Sequence, residues 1–105
     1  MMKYTRSFTR PSVDVHWWFN ATLSVPKSVS ITQMENAYYA TGKCIAQNIT
    51  ASADNLTLTF VGLWATEADH DEYMADAILL TYRAARLEYN ALHGITETPI
   101  VAEVI

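Results

Sequence analysis

The residues of this chain that could do chemistry are three histidines, one cysteine, a set of carboxylates and a dense group of aromatic side chains. His16, His70 and His93 are too scattered for a local metal motif, because no two-His helical pair exists and no Cys stands at ligand spacing from any of them. His70 lies between Asp69 and Asp71 in the first turn of an expected helix, where a solvated, cap-adjacent ring is a better reading than a general base. His93, just before Gly94, is explained by a cation meeting the exposed carbonyls of a helix end. Cys44 has no second thiol to pair with, so it reads as a small half-buried strand residue. No Ser lies in a Gly-x-Ser-x-Gly elbow, and Thr41-Gly42-Lys43 lacks the other glycines of a phosphate loop. Nucleophilic and nucleotide chemistry find no support.

The aromatic residues Trp17, Trp18, Phe19, Tyr38, Tyr39 and Trp64 carry more signal. Adjacent Trp17 and Trp18 point to different sides of an extended segment, so at least one is expected to anchor a protein contact, whereas Trp64 reads as core. Glu88 falls at the margin of a helical apolar stripe, and exposure is expected there.

These residues sit in a chain of 105, enough for one core over 1–105 and not for two. Half of it is apolar and only 17% is charged, which leaves apolar surface over and suggests self-association. The net charge is −4 and the Lys and Arg residues are scattered, so no nucleic-acid partner is expected. An N-terminus without an apolar signal and the lack of any bilayer-length stretch predict a soluble, cytoplasmic protein with no membrane partner. The sequons at Asn20, Asn48 and Asn55 read as by-products of Thr-rich strands.

Residues 2–10 alternate Met2, Tyr4, Arg6 and Phe8 with Lys3, Thr5, Ser7 and Thr9, a half-buried strand ended by Pro11. Residues 12–31 read as a long ordered loop. Thr32 and Glu35 form a capping box for a helix over 33–41, stopped by Gly42. Two strands follow, joined by a turn at Ala53, Asp54 and Asn55; the second turns Leu56, Leu58, Phe60, Gly62 and Trp64 one way and Thr57, Thr59, Val61 and Leu63 the other. Thr66 and Asp69 cap a long helix ending at Gly94, with an expected core stripe of Met74, Ala77, Ile78, Thr81, Ala85 and Leu92. Leu80 and Leu87 lie on one flank of it, and Asp76, Arg83, Arg86 and Asn90 form a polar ridge. A last strand runs over 98–105. The order strand, helix, strand, strand, helix, strand predicts a ferredoxin-like α+β fold, a four-stranded antiparallel sheet with two helices on one face.

On that element order, and on Leu63-Trp-Ala-Thr-Glu-Ala-Asp-His-Asp-Glu-Tyr-Met-Ala-Asp76, the chain resembles the dimeric α+β barrel proteins. The resemblance implies two sheets packed face to face, with C-terminal strands that often reach the partner. Some members are cofactor-free monooxygenases or haem-degrading enzymes, with pockets that use an Asn of the first strand, a Trp at the end of the third and sometimes a His of the second helix. Trp64 matches that Trp; Asn20 lies beyond the first strand and matches poorly, and Met74 and Ile78 are expected where a haem-ligating His would project. Lys3-Tyr-Thr-Arg-Ser-Phe-Thr-Arg-Pro11, Thr41-Gly-Lys43 and His93-Gly-Ile95 are also similar to small proteins of T4-like phages infecting cyanobacteria.

Two functions follow as expectations. The first is a non-catalytic assembly protein, a phage component in a virion or host cytoplasm, meeting itself or other virion or host proteins through Trp17, Trp18, Thr57, Thr59, Val61, Leu63, Leu80 and Leu87. The alternative is a barrel-type small-molecule enzyme or binding protein, without a cofactor, whose pocket is lined by Trp64, Tyr38, Tyr39, Met74 and Asn20.

Overall fold

The period-two pattern of the first strand decides which side chains enter the core. In the computed structural model, which describes residues 1–20 and 29–105, this segment is β1 (Met2–Thr9), and it pairs antiparallel with β3 (Thr57–Trp64) from Met2 opposite Trp64 to Thr9 opposite Thr57. Tyr4 and Phe8 of β1 and Leu58 and Trp64 of β3 are buried on one side. β2 (Cys44–Ala51) pairs with the other edge of β3, and β4 (Thr96–Glu97) and β5 (Val101–Val104) pair with the other edge of β1. The sheet order β2-β3-β1-β4, with β5 also on β1, is the ferredoxin-like arrangement. α1 (Val29–Ala40), α2 (Glu67–Ala75) and α3 (Ala77–His93) cover the buried side. One core cluster joins Phe8 and Leu58 to Trp18, Ile31 and Tyr82; another joins Tyr4, Cys44 and Trp64 to Tyr38.

The β2–β3 turn forms where expected. Asp54 accepts hydrogen bonds from the Ser52 hydroxyl and the Leu56 amide, and Asn55 takes the left-handed conformation (φ 59°) that its short side chain tolerates.

Several expectations give way to packing. α1 begins at Val29 rather than after Thr32, so the anticipated capping box lies inside the helix, whose early start brings Ile31 into the core. Of the loop expected over 12–31, residues 21–28 lie outside the described residues and Trp18–Asn20 form a 3-10 turn. That turn overturns the opposed placement of Trp17 and Trp18: side chains about a third of a turn apart can enter the same core, and both do, edge to face with ring centres 6.1 Å apart. The last strand is interrupted at Thr98-Pro99-Ile100, where Thr98 exchanges hydrogen bonds with Ser7 and Pro99 has no donor to continue the ladder.

The long helix is two helices. Asp76 sits in extended backbone (φ −62°, ψ 130°), its amide donating to the Tyr73 carbonyl and its carboxylate accepting from the Ile78 amide, so it ends α2 and caps α3 at once. The break resets the helical phase. The buried face of α3 is Leu79, Tyr82, Ala85, Arg86 and Asn90, while Ile78, Leu80, Leu87 and Leu92 are exposed. Arg86 and Asn90 of the expected polar ridge are therefore buried, and much of the expected core stripe faces out. Replacing Asp76 with Ala leaves the start of α3 without its side-chain acceptor and is expected to lower unfolding free energy by about 1 kcal/mol, with Asp76→Asn recovering most of it, as read from urea denaturation.

Candidate functional site

A cavity of about 410 Å³ lies between the helix-facing side of the sheet and the helices. Its floor is Tyr4 and Arg6 of β1 with Phe60 and Gly62 of β3, residues that stand opposite one another in the ladder. A Cβ at Gly62 would come 3.1 Å from Trp64 Nε1, so glycine is what allows the indole to lie back along its own strand at the cavity's end.

α2 supplies His70, Tyr73 and Met74 to the roof. Thr66 Oγ1 accepts from the Asp69 amide at 3.1 Å and starts the helix, which places His70 one turn before Tyr73 and Met74 on the inward stripe. The imidazole is only 8% exposed. It stacks on the Tyr4 ring with centres 3.5 Å apart and meets Trp64 edge to face. The solvated position expected from its acidic neighbours is thus overturned by helix phase. Burial lowers its pKa and outweighs the pull of Asp71, whose carboxylate stands 3.8 Å from Nδ1, beyond hydrogen-bond distance. Nδ1 has no hydrogen-bond partner among the described residues. A neutral ring in such a place can accept a proton. Burial also holds the hydroxyls of Tyr4 and Tyr73 in their protonated, donating form.

α3 supplies Leu79, Tyr82, Arg83 and Arg86, and α1 supplies Glu35 and Tyr39. Burial, together with the charges of Arg6 and Arg83, pushes Arg86 down to about 10, against an opposing pull from Glu97. Among the described residues no group of three or more His, Cys, Asp or Glu could hold a metal ion.

Of the pocket residues expected from sequence, Tyr39 and Met74 line the cavity. Trp64 and Tyr38 stand behind its wall, packed edge to face at 5.7 Å and supporting Tyr73 and His70. Asn20 is exposed on the 3-10 turn and is not part of the lining. Ile78, expected to face inward, is exposed. Of the contact residues, Thr57 and Thr59 pair their hydroxyls with Thr9 and Ser7 on the outer side of the sheet, where Val61 and Leu63 are half-buried; Leu80 and Leu87 are exposed. The residues that sequence reading missed are Arg6, His70, Arg83 and Arg86. The spacing of His70 to Tyr73 and Met74 was a usable signal, and so was an Asx cap inside an apolar helical run.

No family model matches the chain, and no curated protein matches it in sequence. Solved structures match its fold. A Deinococcus radiodurans protein named as an antibiotic biosynthesis monooxygenase aligns with a TM-score of 0.61 at 9% identity, over 100% of this chain and 92% of that one. A Nitrosomonas europaea protein of the same name aligns with a TM-score of 0.50 at 14% identity, over 99% and 88%. The likeness establishes the ferredoxin-like α+β fold of that group. The expectation of a non-catalytic assembly protein is overturned by these neighbours, which are named as antibiotic biosynthesis monooxygenases, and nothing in the comparisons bears out the phage likeness.

Because the folded pKa of His70 lies below its ordinary 6.5, the unfolded chain takes up this proton first as pH falls. The contribution of the neutral ring is complete above about pH 6.5 and is lost as pH drops through the folded value. Melting temperature is expected to decline as pH falls below about 6.5, and His70→Phe to flatten that limb; parallel curves for the two proteins would refute the assignment.

Proposed function

We propose that the chain is a small-molecule oxygenase that takes a planar aromatic substrate into the cavity between sheet and helices. The observation that carries this reading is the neutral, buried His70, stacked on Tyr4 at the wall of a space of about 410 Å³. That volume falls in the range of roughly 300–1,000 Å³ usual for small-ligand sites, and the aromatic walls suit a flat ring. The names of the structural neighbours point the same way.

In this reading His70 takes the proton of a phenolic hydroxyl, and the arginines of the cavity steady the oxyanion that results. The phenolate is electron-rich enough to reduce dioxygen, so the electrons come from the substrate and not from a cofactor. One oxygen atom enters the ring in place of a C–H hydrogen and the other leaves as water, giving a quinone: phenol + O2 → quinone + H2O. Tyr4, protonated and with no hydrogen-bond partner for its hydroxyl among the described residues, is the donor available to an oxygen-derived anion. The outer sheet face with Thr57, Thr59, Val61 and Leu63 is proposed to meet a second copy, as in the dimeric barrels.

Oxygen uptake measured with a panel of naphthols and anthrols tests this. The wild type is expected to consume oxygen with at least one of them, and His70→Phe to slow it by about 100-fold or more. Uptake indistinguishable from the protein-free blank across the panel, with those compounds still quenching tryptophan fluorescence, would leave a binding protein and remove the oxygenase.

A further inference from the structure

Three of the seven Lys and Arg residues of a chain with net charge −4 line this one cavity: Arg6, Arg83 and Arg86. Among the described residues none of them forms an ion pair. Arg10 is an internal comparison. It is 6% exposed, and its guanidinium donates to the Asn55 carbonyl through Nε and Nη2 (3.0 and 2.7 Å) and to the Val15 carbonyl through Nη1 (3.0 Å), with Trp17 4.7 Å away beneath it. A structural arginine in this protein is thus fully engaged.

Arg86 is as deeply buried, at 5% exposed, and among the described residues it has no carbonyl acceptor of this kind. Among the described residues its Nε and Nη2 have no hydrogen-bond partner, nor does Arg83 Nε. Its neighbours are the rings of Phe8 and Trp18, 5.3 and 5.6 Å from the guanidinium carbon, and Arg6 crowds the same Phe8 ring at 5.1 Å. Like charges gathered in a partly buried space with unused donors repel one another and lose hydration, and burial combined with mutual repulsion lowers the pKa of both Arg6 and Arg86. Of the carboxylates nearby, Glu97 pulls against this from the edge strand without forming an ion pair, and Glu35 lies at the α1 side of the cavity beside the Tyr73 hydroxyl. An anion supplied by the ligand answers all three features at once.

We infer that Arg6, Arg83 and Arg86 form an anion-recognition wall that holds the carboxylate of an aromatic acid, so that the substrate of the proposed reaction is a hydroxylated arene carboxylate and not a neutral phenol. The inference rests on the cavity being the ligand site. A planar guanidinium can engage a carboxylate through paired donors, while the ring occupies the aromatic remainder of the cavity between Tyr4, Phe60 and Tyr82.

The test compares 2-naphthoate with its neutral isostere 2-naphthamide by titration calorimetry, on the wild type, Arg83→Gln and Arg86→Met. The acid is expected to bind the wild type at least about tenfold more tightly than the amide, and to raise its melting temperature; the preference should fall towards parity in both variants. Arg83 is half-buried and its replacement keeps the test valid if Arg86→Met does not fold. Equal binding of acid and amide to the wild type overturns the anion wall while leaving the cavity as a ligand site. A preference that survives in Arg83→Gln and Arg86→Met alike places the anion elsewhere and overturns it too. Failure of both probes to bind removes the cavity as a site for flat arenes, and this inference with it.

Discussion

One backbone break governs the arrangement of the helical layer. If residues 67–93 ran as a single helix, the apolar stripe through Met74, Ile78 and Ala85 would be the natural face to bury, and Arg83 and Arg86 would stand in solvent. Asp76 prevents this, because an extended residue bonded to the turn before it and the turn after it sets two helices in independent phases. α2 then turns His70, Tyr73 and Met74 to the cavity, and α3 turns Leu79, Tyr82, Arg83 and Arg86 to the same space. The chemistry available to the protein depends on that single cap.

The energetic character of the cavity follows from its walls. Aromatic rings on the sheet side and on α2 bury their polar neighbours, and burial is what takes the charge from histidine and keeps the proton on tyrosine. The same burial makes uncompensated guanidinium groups expensive. Arg10 shows how the fold handles such a group when position alone is at stake, by giving its donors carbonyl acceptors. The contrast with Arg86 separates a group that holds the structure from one whose donors are left for something else.

Most of the sheet was legible in the residues. The alternation of β1 and β3, the Asp54-Asn55 turn and the helix stop at Gly94 each have a local cause that reads directly from residue type. The site was less legible, because its key residues depend on phase and not on type. His70 was masked by acidic neighbours on either side, although its spacing to Tyr73 and Met74 already placed it inward. Arg83 and Arg86 were masked by the assumption of a continuous helix. Trp17 and Trp18 enter one core through a 3-10 turn that their residue types do not announce. In each case the burial of a neighbouring side chain outweighs charge or local conformation.

The interruption at Thr98-Pro99-Ile100 bears on how the molecule behaves in a crowded solution. β4 and β5 form the outer margin of the sheet on the β1 side, and they present it as two short pieces separated by a residue that cannot donate. A foreign strand seeking to extend the sheet would find no unbroken row of amides and carbonyls to follow. Despite the bare side chains of Val101 and Val104, that margin is a poor template for fibril growth.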